Sequence, residues 1–97
     1  MIVYVDIDHT IFDTNGMDYE SSLPMNDRIE KINKLYDEGH TVIYWTARGT
    51  KSKIDYYDLT KNQLDKYGVK YHELKLKKPV YDLFIDDKNI NSEEYFK

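Results

Sequence analysis

Short apolar runs alternate with stretches of helical periodicity along the first half of the chain. Residues 2–5 form a continuous β-branched and aromatic run that ends in acid, which is typical of a strand buried on both faces of a parallel sheet. Apolar side chains between residues 29 and 36 then recur at helical spacing, and Gly39 stands where helices commonly end. The pattern predicts a strand, then an extended loop or small flap over residues 9–24, then a helix.

The second half repeats this alternation of strand and helix. Residues 41–45 predict a second buried strand, and residues 53–67 predict a helix that ends near a glycine. Residues 69–72 indicate a weak third strand. Residues 81–85 indicate a stronger fourth strand, again running directly into acid.

Strands that alternate with helices through short loops indicate an α/β fold. We expect a three-layer, Rossmann-like parallel sheet with helices on both faces. The 97 residues hold one domain, residues 1–97, and leave no room for a second. In such sheets ligands bind at the carboxyl ends of the strands. Polar side chains follow three of the four predicted strands at that end, so we expect them to meet in one place.

The composition excludes several classes of function and indicates a cellular compartment. The chain has no cysteine, which excludes disulfides, thiolate zinc sites and cysteine nucleophiles, and which fits the reducing cytoplasm. A net charge of −4 argues against nucleic-acid and anionic-membrane binding. No apolar run approaches the roughly 20 residues that cross a bilayer. Ten tyrosines either pad the core or line an interface in a homo-oligomer.

Two pairs of carboxylates follow predicted strands. Asp6 and Asp8 come after the first strand, and Asp86 and Asp87 come after the fourth. Each pair alone is most simply a polar turn. If the four meet, their mutual repulsion requires compensating positive charge, and Mg²⁺ with oxygen ligands is the natural choice.

Three further residues are informative only through their order along the chain. Thr46, after the second predicted strand, is by itself an ordinary loop hydroxyl. Lys77 and Lys78 are by themselves a solvated run of charge. The ordered set of Asp-x-Asp, Thr, Lys-Pro and Asp-Asp is far more specific than any member.

With this ordered set of residues, the chain resembles the haloacid dehalogenase superfamily. Residues 6–10 resemble its first motif, Asp-x-Asp-x-Thr, and residues 45–49 resemble its second, a strand that ends in Thr or Ser. Residues 78–79 are similar to the lysine of the third motif, and residues 85–87 to the acidic fourth. The resemblance covers nearly the whole chain. It extends to small members without a cap domain that are associated with bacterial polysaccharide and sugar-phosphate metabolism.

The resemblance implies catalytic roles for four residues. Asp6 would be the nucleophile that forms an aspartyl phosphate, and Asp8 would be the general acid and then the general base. Thr46 and the amide of Ala47 would bind phosphoryl oxygens, and Lys78 would neutralise their charge. Lys77 is the weaker alternative, because the matching lysine directly precedes proline.

The resemblance also implies a metal site and substrate contacts. Mg²⁺ would be held by the Asp6 carboxylate, the Asp8 carbonyl and Asp86. Asp87 would hold a metal-bound water or orient the motif lysine. The remaining substrate contacts are expected from His9, Thr10, Ala47 and Arg48.

Two of these contacts remain open. His9 stands where phosphatases of the superfamily usually have glycine, and it either contacts the substrate or faces outward or into packing. Arg48 meets either a second substrate anion or a carboxylate at the sheet edge.

We therefore expect a cytoplasmic, Mg²⁺-dependent phosphomonoester hydrolase that acts on a sugar phosphate or another small phosphorylated metabolite. A nucleotide or polynucleotide phosphatase is a second expectation, which the acidic net charge weakens. A non-catalytic Mg²⁺- or phosphate-binding regulatory module of the same fold is an alternative from another class. A phosphoacceptor receiver domain fits less well, since the middle predicted strand ends in Thr46 rather than Asp.

Overall fold

The computed structural model describes all residues from 1 to 97. Its elements are β1 (Ile2–Val5), β2 (Phe12–Asn15), β3 (Asp18–Pro24), α1 (Asn26–Asp37), β4 (Thr41–Trp45), α2 (Tyr57–Lys66), β5 (Glu73–Lys75) and α3 (Ser92–Tyr95). None of the helices is both long enough and apolar enough to cross a bilayer.

Three parallel strands form the main sheet, in the order β1-β4-β5. Ile2 is paired with Thr41 and Val5 with Tyr44. The central strand is the most apolar, because a strand pairs with it along each edge and its Val42 and Tyr44 side chains are fully buried under the helices. The predicted strands 2–5 and 41–45 and the predicted parallel α/β sheet are confirmed.

The helices cover one face of this sheet. Successive right-handed crossovers that move in one direction along a sheet place their helices on the same side. Accordingly, Tyr44 and Leu74 share one apolar cluster with Ile32 of α1 and Leu64 of α2. On the opposite face Ile2 and Tyr4 are 70% and 53% exposed. The fold has two layers, so the prediction of helices on both faces was wrong.

Residues 9–24, expected to be a loop or small flap, contain an antiparallel hairpin. In it β2 pairs with β3 from Phe12 opposite Pro24 to Asn15 opposite Asp18. Phe12 is fully buried and belongs to the main apolar cluster, so the hairpin is attached to the body of the domain.

The sequence pattern misplaced three elements in the second half. Helix α2 begins at Tyr57 rather than at residue 53, and the third strand lies at Glu73–Lys75 rather than at 69–72. The fourth predicted strand, residues 81–85, is not formed, and Leu83 in it is 75% exposed.

A simple reach argument explains the missing strand. The Lys78 amide donates to the Thr46 carbonyl (3.1 Å), which fixes the chain at the carboxyl end of the sheet. A parallel strand starting at Tyr81 would have to begin at the other end, about 16 Å away for a strand of this length. Three residues span at most about 10 Å. The apolar run therefore cannot reach the position from which it could pair in parallel with the free edge of β1.

Candidate functional site

The candidate site lies where the carboxyl ends of β1 and β4 meet. Asp6 directly follows β1, and Thr46 directly follows β4. The Thr46 amide donates to the Lys75 carbonyl (2.9 Å), and its carbonyl accepts from the Lys78 amide (3.1 Å). The backbone thus brings three separate stretches of chain to one edge of the sheet.

Asp6 faces this edge with one cationic neighbour. Its Oδ1 lies 3.6 Å from the Nζ of Lys78, and its side chain is 40% exposed while that of Lys78 is 15% exposed. Burial raises the pKa of the Asp6 carboxyl above its ordinary value. Lys78 opposes this effect, as does a hydrogen bond from the Ile7 amide. Asp6 is therefore an accessible carboxylate whose charge is only partly compensated.

A shallow cleft opens beside Asp6. Its volume is about 180 Å³, and its lining residues are Asp6, Ala47, Lys78, Pro79, Val80 and Tyr81. The Ala47 amide donates to no other protein group. The cleft is therefore lined by a carboxylate residue, by a lysine and by a residue whose backbone amide has no protein partner. A larger cleft, of about 390 Å³, lies at the start of α1 and is lined by Met25, Asn26, Asp27 and Arg28, none of which belongs to the four motifs.

Asp8 is held very differently. Its Oδ2 accepts from Nε of Arg48 (2.9 Å), and its Oδ1 accepts from Nη2 of Arg48 (2.8 Å) and from the Thr14 hydroxyl (2.6 Å). The side chain of Arg48 is fully buried, and that of Asp8 is 17% exposed. Two parallel hydrogen bonds of this kind fix both distance and orientation.

Arg48 has no donor left for a substrate. Besides its bonds to Asp8, Nη1 donates to Thr60 (3.1 Å) and to Gln63 (2.5 Å), and Nη2 makes a longer contact with Ser22 (3.4 Å). A guanidinium has five N–H groups, and all five are engaged. The predicted substrate contact of Arg48 therefore does not fit this structure. The alternative expectation, a carboxylate partner at the sheet edge, is confirmed: the partner is Asp8, which follows the edge strand β1.

Asp8 is followed by a tight turn, in which His9 occupies a position that suits glycine. The amides of Thr10, Ile11 and Phe12 all point to the Ile7 carbonyl, at 2.9–3.1 Å, and the chain turns at His9 with φ of 64°. Glycine adopts this conformation without strain, which accounts for the glycine usual in the resembling motif. The His9 side chain is exposed and makes no hydrogen bond, and Thr10 contributes its carbonyl to Arg28 (3.2 Å).

Thr46 and Lys78 occupy positions consistent with the motif order. Thr46 is buried, and its hydroxyl accepts from the Arg48 amide (3.1 Å), which leaves the hydroxyl proton free to donate elsewhere. Lys78 rather than Lys77 approaches Asp6, since Lys77 is exposed and adopts a positive φ of 67°.

The second acidic pair is not part of the cluster. Asp86 and Asp87 lie in the exposed segment that the sequence had assigned to the end of a fourth strand. Nowhere in the chain do three His, Asp or Glu side chains converge on a possible metal position. The residues in place therefore do not complete a magnesium site. The expected convergence of Asp6, Asp8, Asp86 and Asp87 is not found.

Several residues of the site were missed by the sequence pattern. Thr14 and Ser22 of the hairpin, and Thr60 and Gln63 of α2, are all buried polar residues around Arg48. A signal was present, because Thr60 and Gln63 share the inward face of α2 with Leu64. Two polar side chains on an apolar helix face indicate a buried polar partner.

Comparison with known proteins finds a similar solved structure but no matching family. No protein-family model matches the chain, and no curated protein matches it. The chain is similar to the crystal structure of an MCSG target from Vibrio cholerae, with a TM-score of 0.88 and 28% sequence identity. The similarity covers 99% of this chain and 88% of that one. The small α/β fold described above is thus shared with an experimentally determined structure.

Proposed function

We propose that this protein is a phosphomonoester hydrolase of the haloacid dehalogenase type, in which Asp6 attacks phosphorus. One observation carries the proposal: an accessible carboxylate shares a cleft with the Lys78 ammonium, 3.6 Å away, and with the free Ala47 amide. A tetrahedral phosphoryl group needs a nucleophile on one side and donors for its equatorial oxygens. The motif order adds support.

The reaction has two steps. First an Asp6 oxygen bonds to phosphorus, the bond from phosphorus to the ester oxygen breaks, and the leaving alcohol takes a proton. Water then attacks the aspartyl phosphate, releases inorganic phosphate and restores the Asp6 carboxylate. Lys78 and the Ala47 amide stabilise the negative charge on the phosphoryl oxygens in both steps.

Asp8 is the group proposed to move the protons. Protonated, it would supply the leaving alcohol, and as a carboxylate it would accept a proton from the attacking water. Its three hydrogen bonds from Arg48 and Thr14 fix the orientation of its carboxylate, two positions along the chain from Asp6. Substrates are proposed to be small phosphorylated metabolites such as sugar phosphates, in keeping with a cleft of about 180 Å³.

Magnesium is part of the proposal, but no step above depends on it. The expected ligands near β1 are the Asp6 carboxylate and the Asp8 backbone carbonyl, and the bonds from Arg48 engage only the Asp8 carboxylate. A complete site needs Asp86 to approach Asp6. Calorimetric titration with Mg²⁺ tests this requirement: Asp86→Asn should weaken binding at least about tenfold, and Asp82→Asn, in the same exposed segment, should leave it unchanged. Equal binding by both variants excludes Asp86 as a ligand.

The proposed activity is tested with p-nitrophenyl phosphate and a panel of sugar phosphates, with and without Mg²⁺. Wild type should release phosphate and Asp6→Asn should not. Asp13→Asn, an exposed carboxylate of the hairpin, is the matched control and should retain activity. Turnover by Asp6→Asn equal to that of wild type would rule out Asp6 as the nucleophile.

A second candidate function is a phosphate-binding module without turnover. The separation of Asp86 from Asp6 and Asp8 favours it, since catalysis in the resembling family uses all three. Phosphate binding that Lys78→Met abolishes, together with no hydrolysis of any substrate in the panel, would support this candidate. The proposed setting is the cytoplasm, and the native mass of the particle measures whether copies associate.

A further inference from the structure

We propose that Arg48 and Gln63 are positioning residues that tie the orientation of Asp8 to the position of the β2–β3 hairpin. This inference rests on the proposed function, in which Asp8 moves protons. It gives a positioning role to Arg48 and adds Gln63, which lies outside the motifs.

The hairpin contacts Asp8 and its partner directly. Thr14 of β2 donates to the Asp8 carboxylate (2.6 Å), and Ser22 of β3 shares a hydrogen bond with Thr14 (2.7 Å). Ser22 also accepts the longer contact from Arg48 (3.4 Å). One residue from each strand of the hairpin therefore touches the pair formed by Asp8 and Arg48.

Helix α2 contacts the same hairpin from the other side. Gln63 accepts from Nη1 of Arg48 through its carbonyl oxygen (2.5 Å) and donates from its amide nitrogen to the Tyr19 carbonyl (2.6 Å). Tyr19 lies just after the start of β3, and its ring also stacks under the Arg48 guanidinium, 4.7 Å from the ring centre. Gln63 thus joins the hairpin backbone to Arg48 through the oxygen and the nitrogen of its side-chain amide.

These contacts mean that neither the Arg48 guanidinium nor the hairpin can move without breaking hydrogen bonds to the other groups. Every N–H group of Arg48 is engaged and its side chain is fully buried, so rotation of the guanidinium breaks several hydrogen bonds at once. A displaced hairpin would pull Tyr19 away from Gln63 and Thr14 away from Asp8. Displacement of the hairpin would therefore change the orientation of the Asp8 carboxylate.

Leaving-group dependence distinguishes a positioning role from general support of the fold. An alkyl alcohol needs a proton as it departs, whereas p-nitrophenolate departs without one. Misplacing Asp8 should therefore slow alkyl phosphates more than p-nitrophenyl phosphate. A loss of folded protein would slow both substrates equally.

The kinetic test compares three variants by kcat and KM on glycerol phosphate and p-nitrophenyl phosphate. Gln63→Met, which removes both hydrogen bonds, should lower kcat on the alkyl ester about tenfold and on the aryl ester less than about threefold, with KM nearly unchanged. Gln63→Glu, which keeps an acceptor for Arg48 but cannot donate to the Tyr19 carbonyl, should recover only part of the alkyl rate. Asn62→Met, on the exposed side of the same helix turn, should match wild type. Equal slowing of both substrates by Gln63→Met overturns the inference.

A second measurement does not require turnover. Hydrogen exchange followed by NMR reports the Nε–H of Arg48 and the amides of the hairpin. Gln63→Met should speed both at least about tenfold at a pH where melting confirms the fold, and Asn62→Met should speed neither. If wild type hydrolyses no substrate, the proposed function fails while this result still supports the coupling. Unchanged exchange in Gln63→Met overturns the coupling whether or not the protein is active.

Discussion

Asp6 and Asp8 are two residues apart on the same turn, yet their surroundings are opposite. Asp8 accepts three hydrogen bonds, two of them from a fully buried arginine. Asp6 has a single cation at 3.6 Å and faces a cleft. Both residues are aspartates, so the proposed difference between their roles comes from the groups that surround each carboxylate and not from residue type.

The same difference explains which carboxylate is suited to attack. A nucleophile needs an exposed lone pair and room for an incoming group, which Asp6 has. A group that moves protons needs a fixed position relative to the nucleophile, which Arg48 gives Asp8. The predictions below test each half of this comparison.

The largest effect is expected on activity from Asp6→Asn. It removes the attacking oxygen but keeps the shape of the side chain, so kcat should fall at least about 10³-fold. Asp8→Asn should also reduce kcat, by less for p-nitrophenyl phosphate than for alkyl esters. Steady-state kinetics on both substrates measures the contrast. If the two variants show the same pattern across leaving groups, the division of roles is wrong.

Arg48→Met should produce the largest loss of stability. Removing one partner of a buried pair leaves an uncompensated carboxylate, which costs about 3–5 kcal/mol of the free energy of unfolding. Lys70→Met breaks a pair between exposed side chains, with Asp37, and should cost less than about 1 kcal/mol. Urea denaturation of both variants gives the comparison. Similar losses would mean that the Arg48 pair is not buried as described.

Lys78→Met should weaken the Asp6 side of the site. Loss of the ammonium should lower kcat by roughly 10²-fold, as for other donors to developing charge. Because Lys78 lowers the pKa of Asp6, its removal should also move the acid limb of the rate profile to higher pH. Lys77→Met is the control and should change neither. An acid limb that stays in place would separate Lys78 from the titration of Asp6.

Stability should depend on pH through Asp6. Its pKa is raised above the ordinary 3.8, mainly by burial, so the folded state binds this proton more tightly than the unfolded state does. The contribution to stability is fully present below pH 3.8 and is lost as pH rises through the higher folded value. Asp6→Asn should therefore melt above wild type at neutral pH and converge with it in acid. A variant that melts below wild type at pH 7 contradicts the raised pKa.

The smallest expected effect comes from His9. Its φ of 64° strains a side-chain-bearing residue, and glycine removes that strain at some entropic cost, for a net gain of about 0.5–1 kcal/mol. Lys53→Gly, with φ of 65° in an exposed loop, should gain a similar amount. A change in KM with His9→Gly but not with Lys53→Gly would indicate that the His9 side chain contacts the substrate.

The sequence predicted well where local pattern and sheet geometry agree. The strands at 2–5 and 41–45 are short apolar runs, and their carboxyl ends necessarily bring Asp6 and Thr46 together. It failed at residues 81–85, because apolar pattern does not report how far the chain can reach from Lys78. It also missed the partner of Arg48, since contacts between residues 40 positions apart depend on packing rather than periodicity.

The most direct test of the account is identification of the phosphorylated residue. Protein quenched with acid during turnover, then digested and analysed by mass spectrometry, should carry one phosphoryl group on Asp6, labile to hydroxylamine. A phosphoryl group on Asp8 or Asp86, or turnover in single-turnover conditions with no phosphorylated protein at any time, would contradict the role of Asp6.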